Sequence, residues 1–240
     1  MQFDYNKIEK KLGIVFKNKD ILKQAFSHRS FVVEKGLSSL SSNERLEFLG
    51  DAVLEIVVSD NLYKEYKNAE EGILTQWRSV IVNTNSLSEV FRKLGLAQYI
   101  LLSKGEAMSG GQEKDTILAN MTEGLIGAIY LDLGFDKAYS FIKSFILKDT
   151  TELIEEFRVY NPKGGLQEKV QGQGKCTPDY KVIKENGPDH EKNFEIGVYI
   201  DNKIIAVGKG NSKKNAEEDA ARKALELMNK EHITKNNGKI

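Results

Sequence analysis

The sequence predicts an all-α N-terminal domain followed by a smaller α+β domain of order α-β-β-β-α. Three observations carry this. Apolar residues recur at spacings of three and four over residues 1–150, with little alternation of period two. After Asn161-Pro162 the period switches to two. The chain has 240 residues, more than one typical domain of ~100–200.

Each element follows from its own pattern. Ile8-Leu12-Val15, Leu46-Leu49-Val53-Ile56 and Leu87-Val90-Leu94 form helical stripes, as do Leu118-Met121-Leu125-Ile129 and Tyr139-Ile142-Phe145-Ile146. Gly13, Gly36, Gly95, Gly105, Gly110-Gly111 and Gly134 punctuate them. The helical domain is placed at 1–154 and a linker at 155–160. In the second domain, 161–230, Leu166-Val170 suits a short helix. Strands are read at 180–185, 194–200 and 203–209, and Asp201-Asn202 makes a tight hairpin turn between the last two. Ser212 caps a final helix whose Ala216, Ala220, Ala224 and Leu227 form one stripe, and residues 231–240 read as a frayed tail.

Composition narrows the class. Hydrophobic residues at 40% and charged residues at 29% describe an ordinary globular chain. A single cysteine, Cys176, excludes an internal disulfide framework and a thiolate metal cluster. No apolar run approaches the ~18 residues of a membrane span, and the first residues lack the order of a signal peptide. The expectation is a cytoplasmic protein with no membrane contact. The 35 Lys+Arg balance 35 Asp+Glu, which taken alone argues against a polyanionic partner. The balance is uneven along the chain, however: residues 1–160 carry 20 basic and 23 acidic side chains, residues 161–240 carry 15 and 12. Such an asymmetry points to division of labour.

The chemistry concentrates in the stretch NERLEFLGDAVLEIVVSDNLY, residues 43–63. Glu44, Glu47 and Asp51, three and four residues apart, share one helical face among apolar neighbours. Crowded carboxylates without partners are costly and acquire raised pKa values; a hard divalent cation removes the cost. A solvated acidic face is the other reading of such a triplet, and the apolar neighbours bring the two level. A second apolar helix, ILANMTEGLIGAIYLD, places Asn120 and Glu123 at i and i+3. Facing the first helix, it completes a set of four oxygen donors, Glu47, Asp51, Asn120 and Glu123. Without His or Cys ligands, Mg²⁺ is the natural ion, with Mn²⁺ as substitute. Such an ion clamps a phosphoryl oxygen and acidifies water, which suits phosphodiester hydrolysis. His28 reads as a packed histidine in preference to a general base, Trp77 as core or dimer packing, and Arg78 equally as a phosphate contact or a surface residue.

NERLEFLGDAVLE resembles the signature of the ribonuclease III family, the double-stranded-RNA endonucleases. FSHRS at 26–30, EEG at 70–72 and the Asn120/Glu123 helix match the rest of its nuclease domain. The resemblance implies an all-helical homodimer with a valley for the duplex, using Mg²⁺ to leave a 5′-phosphate, a 3′-hydroxyl and a short 3′ overhang. It also implies processing of rRNA precursors and some mRNA and tRNA transcripts, without a small-molecule cofactor. Asp51 and Glu123 match the central catalytic acids, with Glu47 as a further metal ligand; Glu44 and Glu71 match other acids of the cleft. Asn120 departs from the commoner Asp. Its amide oxygen can ligate a cation or hold a water but brings no charge, so weaker Mg²⁺ affinity with retained activity is expected.

Residues 161–230 resemble a double-stranded-RNA-binding domain, on NPKGGLQEKVQ, IIAVGKGNS and KKNAEEDAARKAL. Lys213 and Lys214, following Ser212, lie at a helix N-terminus, where N–H groups and the dipole favour phosphate. The resemblance assigns Gln167 and Glu168 to 2′-hydroxyl contacts and the loop with Pro188, Asp189 and His190 to a second contact. This mode reads A-form shape rather than sequence. Gly164-Gly165 stand where the family has stiffer residues, so a looser helix start is expected. The alternative to an active nuclease is a catalytically weak or inactive dimeric duplex-RNA-binding protein. A hydrolase of small phosphate esters leaves the second domain unexplained.

Overall fold

The computed structural model describes residues 3–188 and 192–236. The first helices are α1 (Tyr5–Leu12), α2 (Lys19–Ala25), α3 (Arg29–Glu34) and α4 (Glu44–Glu65). Then come α5 (Glu71–Ile81), α6 (Thr84–Leu94), α7 (Lys104–Met108), α8 (Asp115–Leu133), α9 (Phe135–Phe145) and α10 (Thr150–Tyr160). The α+β part follows as α11 (Pro162–Gln171), β1 (Asp179–Asn186), β2 (Asn193–Ile200), β3 (Lys203–Gly210) and α12 (Lys213–Asn236). The chain divides into two compact units. One comprises the chain up to Glu65 together with Gln76–Leu153; the other comprises Tyr66–Thr75 and the chain from Ile154 onward.

In the first unit α8 is the hub. Its Leu118, Met121, Leu125, Ile126 and Ile129 are fully buried, and it packs on α4, α6, α9 and α2. The contact with α4 is made backbone to backbone. A Cβ at Gly50 would lie 1.8 Å from the Glu123 carbonyl oxygen, and one at Gly127 would lie 2.1 Å from that of Leu46. Only glycine permits helices to touch this closely. Gly124, between these contacts on α8, is different: a Cβ there would meet Asn43 and the Ala25 carbonyl at 3.5–3.6 Å, an ordinary contact distance. The start of α4 is anchored by the Asn43 N–H donating to the Ser27 carbonyl at 2.9 Å, and Glu44 and Glu47 in its first turn suit the positive end of the helix dipole.

In the second unit the sheet is antiparallel with order β1-β2-β3. Asp201 and Asn202 have φ of +49° and +62°, the left-handed pair that a two-residue hairpin turn requires. The alanine stripe of α12 lies against glycines of β3, since a Cβ at Gly208 would meet the Ala216 carbonyl oxygen at 2.1 Å. Leu166, Val170, Val198, Ile200, Ala220 and Ala224 form the core. The looser start expected for α11 is not found. Asn161 Oδ1 accepts from the Gly164 N–H at 3.1 Å, Pro162 occupies the first turn, and both glycines are buried. Residues 155–160 are helical within α10 and α12 runs through Asn236, while residues 237–240 of the expected tail lie outside the described residues.

Candidate functional site

The Gly50–Gly127 crossing decides which side chains meet. Glu47 and Asp51, one turn apart on α4, flank Gly50, and Asn120 and Glu123 occupy the adjoining turns of α8. Because the helix backbones touch, these four side chains share one field. Burial pushes the Glu123 carboxyl up to about 7, with the Asp51 and Glu47 charges adding to the effect. Burial and the Glu44 charge also raise Glu47, while a hydrogen bond from Asn120 pulls it back. Among the described residues no three carboxylate, imidazole or thiol groups form a closed chelate. Mg²⁺ keeps several waters and needs only one or two carboxylates, so it does not require a closed chelate. The donors are all hard oxygens, so a divalent oxygen-seeking cation fits and a thiophilic one does not.

The other acids are placed differently. Glu44, at the rim, holds the Arg29 guanidinium at 3.4 Å and accepts from the Ser42 hydroxyl at 3.1 Å. Glu71 opens α5 in the segment grouped with the second unit, where its carboxylate accepts from the Thr75 hydroxyl at 3.0 Å. His28 caps α3: its Nδ1 accepts from the Ser30 N–H at 3.2 Å and pairs with the Ser30 hydroxyl at 2.8 Å. Burial pushes its pKa down, so the ring is neutral near pH 7 and suited to that capping role. Trp77 is buried. Arg78 is held on α4, with Nε 2.8 Å from Glu55 and Nη1 2.9 Å from the Ser59 hydroxyl. Its charge is thereby matched within the first unit, which favours a structural role over phosphate contact.

In the second unit Ser212 Oγ accepts from the Asn215 N–H at 3.2 Å, capping the helix whose first two residues, Lys213 and Lys214, are exposed. Gln167 and Glu168 lie half-buried on α11. The Lys163 ammonium binds Glu217 at 2.6 Å, tying the start of α11 to the turn of α12 that follows the two lysines. Pro188 is exposed beyond β1, while Asp189 and His190 lie outside the described residues. Sequence reasoning missed Asn43, which is buried beside Glu44 and Glu47, and the role of Gly50 and Gly127. The signal for the glycines was two of them inside otherwise apolar helices, each beside the candidate acids.

Comparison with known proteins agrees with both units. Residues 18–150 match a family model described as Ribonuclease-III-like, and residues 162–228 match one described as the double-stranded RNA binding motif. Ribonuclease 3 of Streptococcus thermophilus is 44% identical over 92% of this chain and 96% of its own. Ribonuclease 3 of Bacillus licheniformis is 39% identical over 95% and 92%. A solved structure of the nuclease domain of the Campylobacter jejuni ribonuclease III is 37% identical, with a TM-score of 0.54, over 64% of this chain and 97% of that one. With both parts matched in order and relatives aligned over nearly their whole length, the chain belongs to the ribonuclease III family of endoribonucleases.

Proposed function

We propose that the protein is a divalent-cation-dependent endonuclease of double-stranded RNA. It hydrolyses backbone phosphodiesters to leave 5′-phosphate and 3′-hydroxyl ends with short 3′ overhangs. The RNAs are rRNA precursors and some mRNA and tRNA transcripts, processed in the cytoplasm. No helix among the described residues is long and apolar enough to cross a membrane. The observation that carries the reading is the sharing of one field by Glu47, Asp51, Asn120 and Glu123 at a glycine-only helix crossing.

Glu47, Asp51, Asn120 and Glu123 would hold Mg²⁺, with Mn²⁺ as a substitute. When bound, such a cation polarises a phosphoryl oxygen and acidifies water. The protein's own part is electrostatic. Glu123, with its carboxyl raised to about 7, gives up its proton when a cation replaces it, so cation binding strengthens as pH rises through neutrality. Glu47 is held by the Asn120 amide, which fixes the donor pair in place. Asn120 contributes an oxygen but no charge, so a higher Mg²⁺ requirement than an Asp would give is part of the reading.

Two further features belong to it. Phe48, Ile56 and Tyr63 are 80%, 59% and 74% exposed and lie along one side of α4. Such a stripe suits a second copy of the chain, and the Campylobacter jejuni nuclease domain has a structurally flexible region involved in dimer formation. The second unit grips the duplex by shape, with Lys213 and Lys214 on phosphates and Gln167 and Glu168 at the minor groove.

Division of labour is tested by removing residues 161–240. The truncated protein is expected to cut duplex RNA at low salt and to fail at physiological salt, because deleting phosphate contacts lowers its affinity at every salt concentration. Duplex affinity measured by gel shift should fall at least ~10-fold at ~150 mM salt. Normal cutting by the truncated protein at that salt contradicts the assignment.

A further inference from the structure

A cavity of about 570 Å³ opens beside the acidic group, its walls including Arg29, Glu34, Glu44, Glu47 and Asn120. The carboxylates of Glu34, Glu44 and Glu47 repel an RNA backbone, and Arg29 is the one lysine or arginine among the described residues that line the cavity. Burial keeps neighbouring His28 neutral near pH 7, so it supplies no second cation. The backbone under Arg29 is fixed on both sides. The His28 N–H donates to the Leu101 carbonyl at 3.1 Å, and the Ser103 N–H donates to the Ser30 hydroxyl at 3.1 Å. The side chain is not fixed. Its guanidinium is 69% exposed and makes one ion pair among the described residues, from Nη1 to Glu44 at 3.4 Å.

That contact is longer than the ~2.7–2.9 Å of a firm charge-assisted bond, and an exposed pair of this kind contributes little to stability. Glu44 keeps the Ser42 hydroxyl, at 3.1 Å, when the guanidinium leaves. Arg78 shows the contrast, closed by Glu55 at 2.8 Å and Ser59 at 2.9 Å. Arg29 therefore has a rigid stem and a head whose donors are mostly unspent. A guanidinium presents those donors as a planar fork that matches two oxygens of a phosphate. We propose that Arg29 leaves Glu44 when RNA enters the cavity and binds the backbone phosphate next to the cleaved one, setting the register of the strand. Arg29 is then a substrate-binding residue of the cleft and the counterweight to its carboxylates. The inference rests on the duplex-RNA cleavage proposed for the α4–α8 acids and adds a substrate contact to it.

The test uses the full chain, Mg²⁺ and a hairpin RNA with one mapped cut, carrying a single uncharged methylphosphonate at each phosphate flanking the cleaved one in turn. One position is expected to lower kcat/KM about tenfold, the loss of one charge-assisted contact. Arg29→Ala should lower kcat/KM on the unmodified hairpin by a similar factor, and the sensitive methylphosphonate should then cost nothing more. Arg29→Lys keeps the charge but not the fork, and should recover part of the loss. A second readout leaves cutting aside. With Glu123→Gln in both proteins, so that the RNA stays whole, Arg29→Ala should lower the slope of log affinity against log salt by about one phosphate contact, and Arg29→Lys should restore it. The inference is overturned if Arg29→Ala cuts within about twofold of native, if its loss multiplies with that of every methylphosphonate, or if the salt slope is unchanged. Arg29 is then no more than the counter-ion of Glu44. A native protein that binds the hairpin without cutting it overturns the nuclease reading, and the salt slope alone then decides whether Arg29 meets a phosphate.

Discussion

Glu123→Gln is expected to lower duplex cleavage by about 10³-fold or more while leaving duplex affinity within about twofold of native. Glutamine keeps the size of the side chain and one oxygen donor but cannot supply the charge that the cation needs. The same substitution should stabilise the cation-free protein, and only at the right pH. The Glu123 carboxyl titrates at about 7 in the fold against 4.5 for an ordinary glutamate. The folded state therefore binds the proton more tightly, and stability contributed by the protonated group is present below ~4.5 and lost as pH rises through ~7. Melting without added cation should give Glu123→Gln a Tm close to native at pH 4.5. At pH 7.5 its Tm should be higher by a few degrees, about 1–2 kcal/mol once the side chain's partial contact with water is allowed for. A variant that keeps cutting removes Glu123 from the centre; one that also loses RNA affinity makes it a folding residue.

The second large effect is on the scaffold. Gly50→Ala puts a methyl group 1.8 Å from the Glu123 carbonyl oxygen, and Gly127→Ala puts one 2.1 Å from that of Leu46. Neither obstacle is a side chain that can swing away, so α4 and α8 must separate. Each substitution should cost at least ~3 kcal/mol and lower Tm by roughly 6–12 °C. Because the helices carry the two halves of the acidic group, any folded fraction should also bind Mg²⁺ more weakly. Gly124→Ala is the internal contrast. Its methyl group meets neighbours at ordinary distances, and replacing a helix-interior glycine is expected to raise stability by ~0.5–1 kcal/mol. Thermal melts of the three variants test the distinction, and equal gains in all three would show that helix propensity rather than contact governs these positions.

These cases mark what could be read from residues alone. Glu47 and Asp51 on one helix, with Asn120 and Glu123 on another, were legible because a 3.6-residue period assigns each side chain a face. The hairpin at Asp201-Asn202 was legible because alternation on both sides leaves two residues for the turn. The closeness of the two helices was not, since a glycine in an apolar helix has the same sequence signature whether it makes room or merely weakens the helix. Arg78 was level between two roles because its partners, Glu55 and Ser59, lie about 20 positions away on another helix. The even charge balance, which first argues against a nucleic-acid partner, instead sums an acidic centre suited to a cation and a basic module suited to phosphate.

The central claim is that the α4–α8 acids make this chain a cation-dependent cutter of duplex RNA. End-labelled duplex and single-stranded RNA incubated with the full chain, in Mg²⁺ and in EDTA, test it most directly. The duplex is expected to yield 5′-phosphorylated fragments in Mg²⁺ alone, with single strands intact. Tight duplex binding without cleavage at generous Mg²⁺ would contradict it and leave a duplex-RNA-binding protein on a nuclease scaffold.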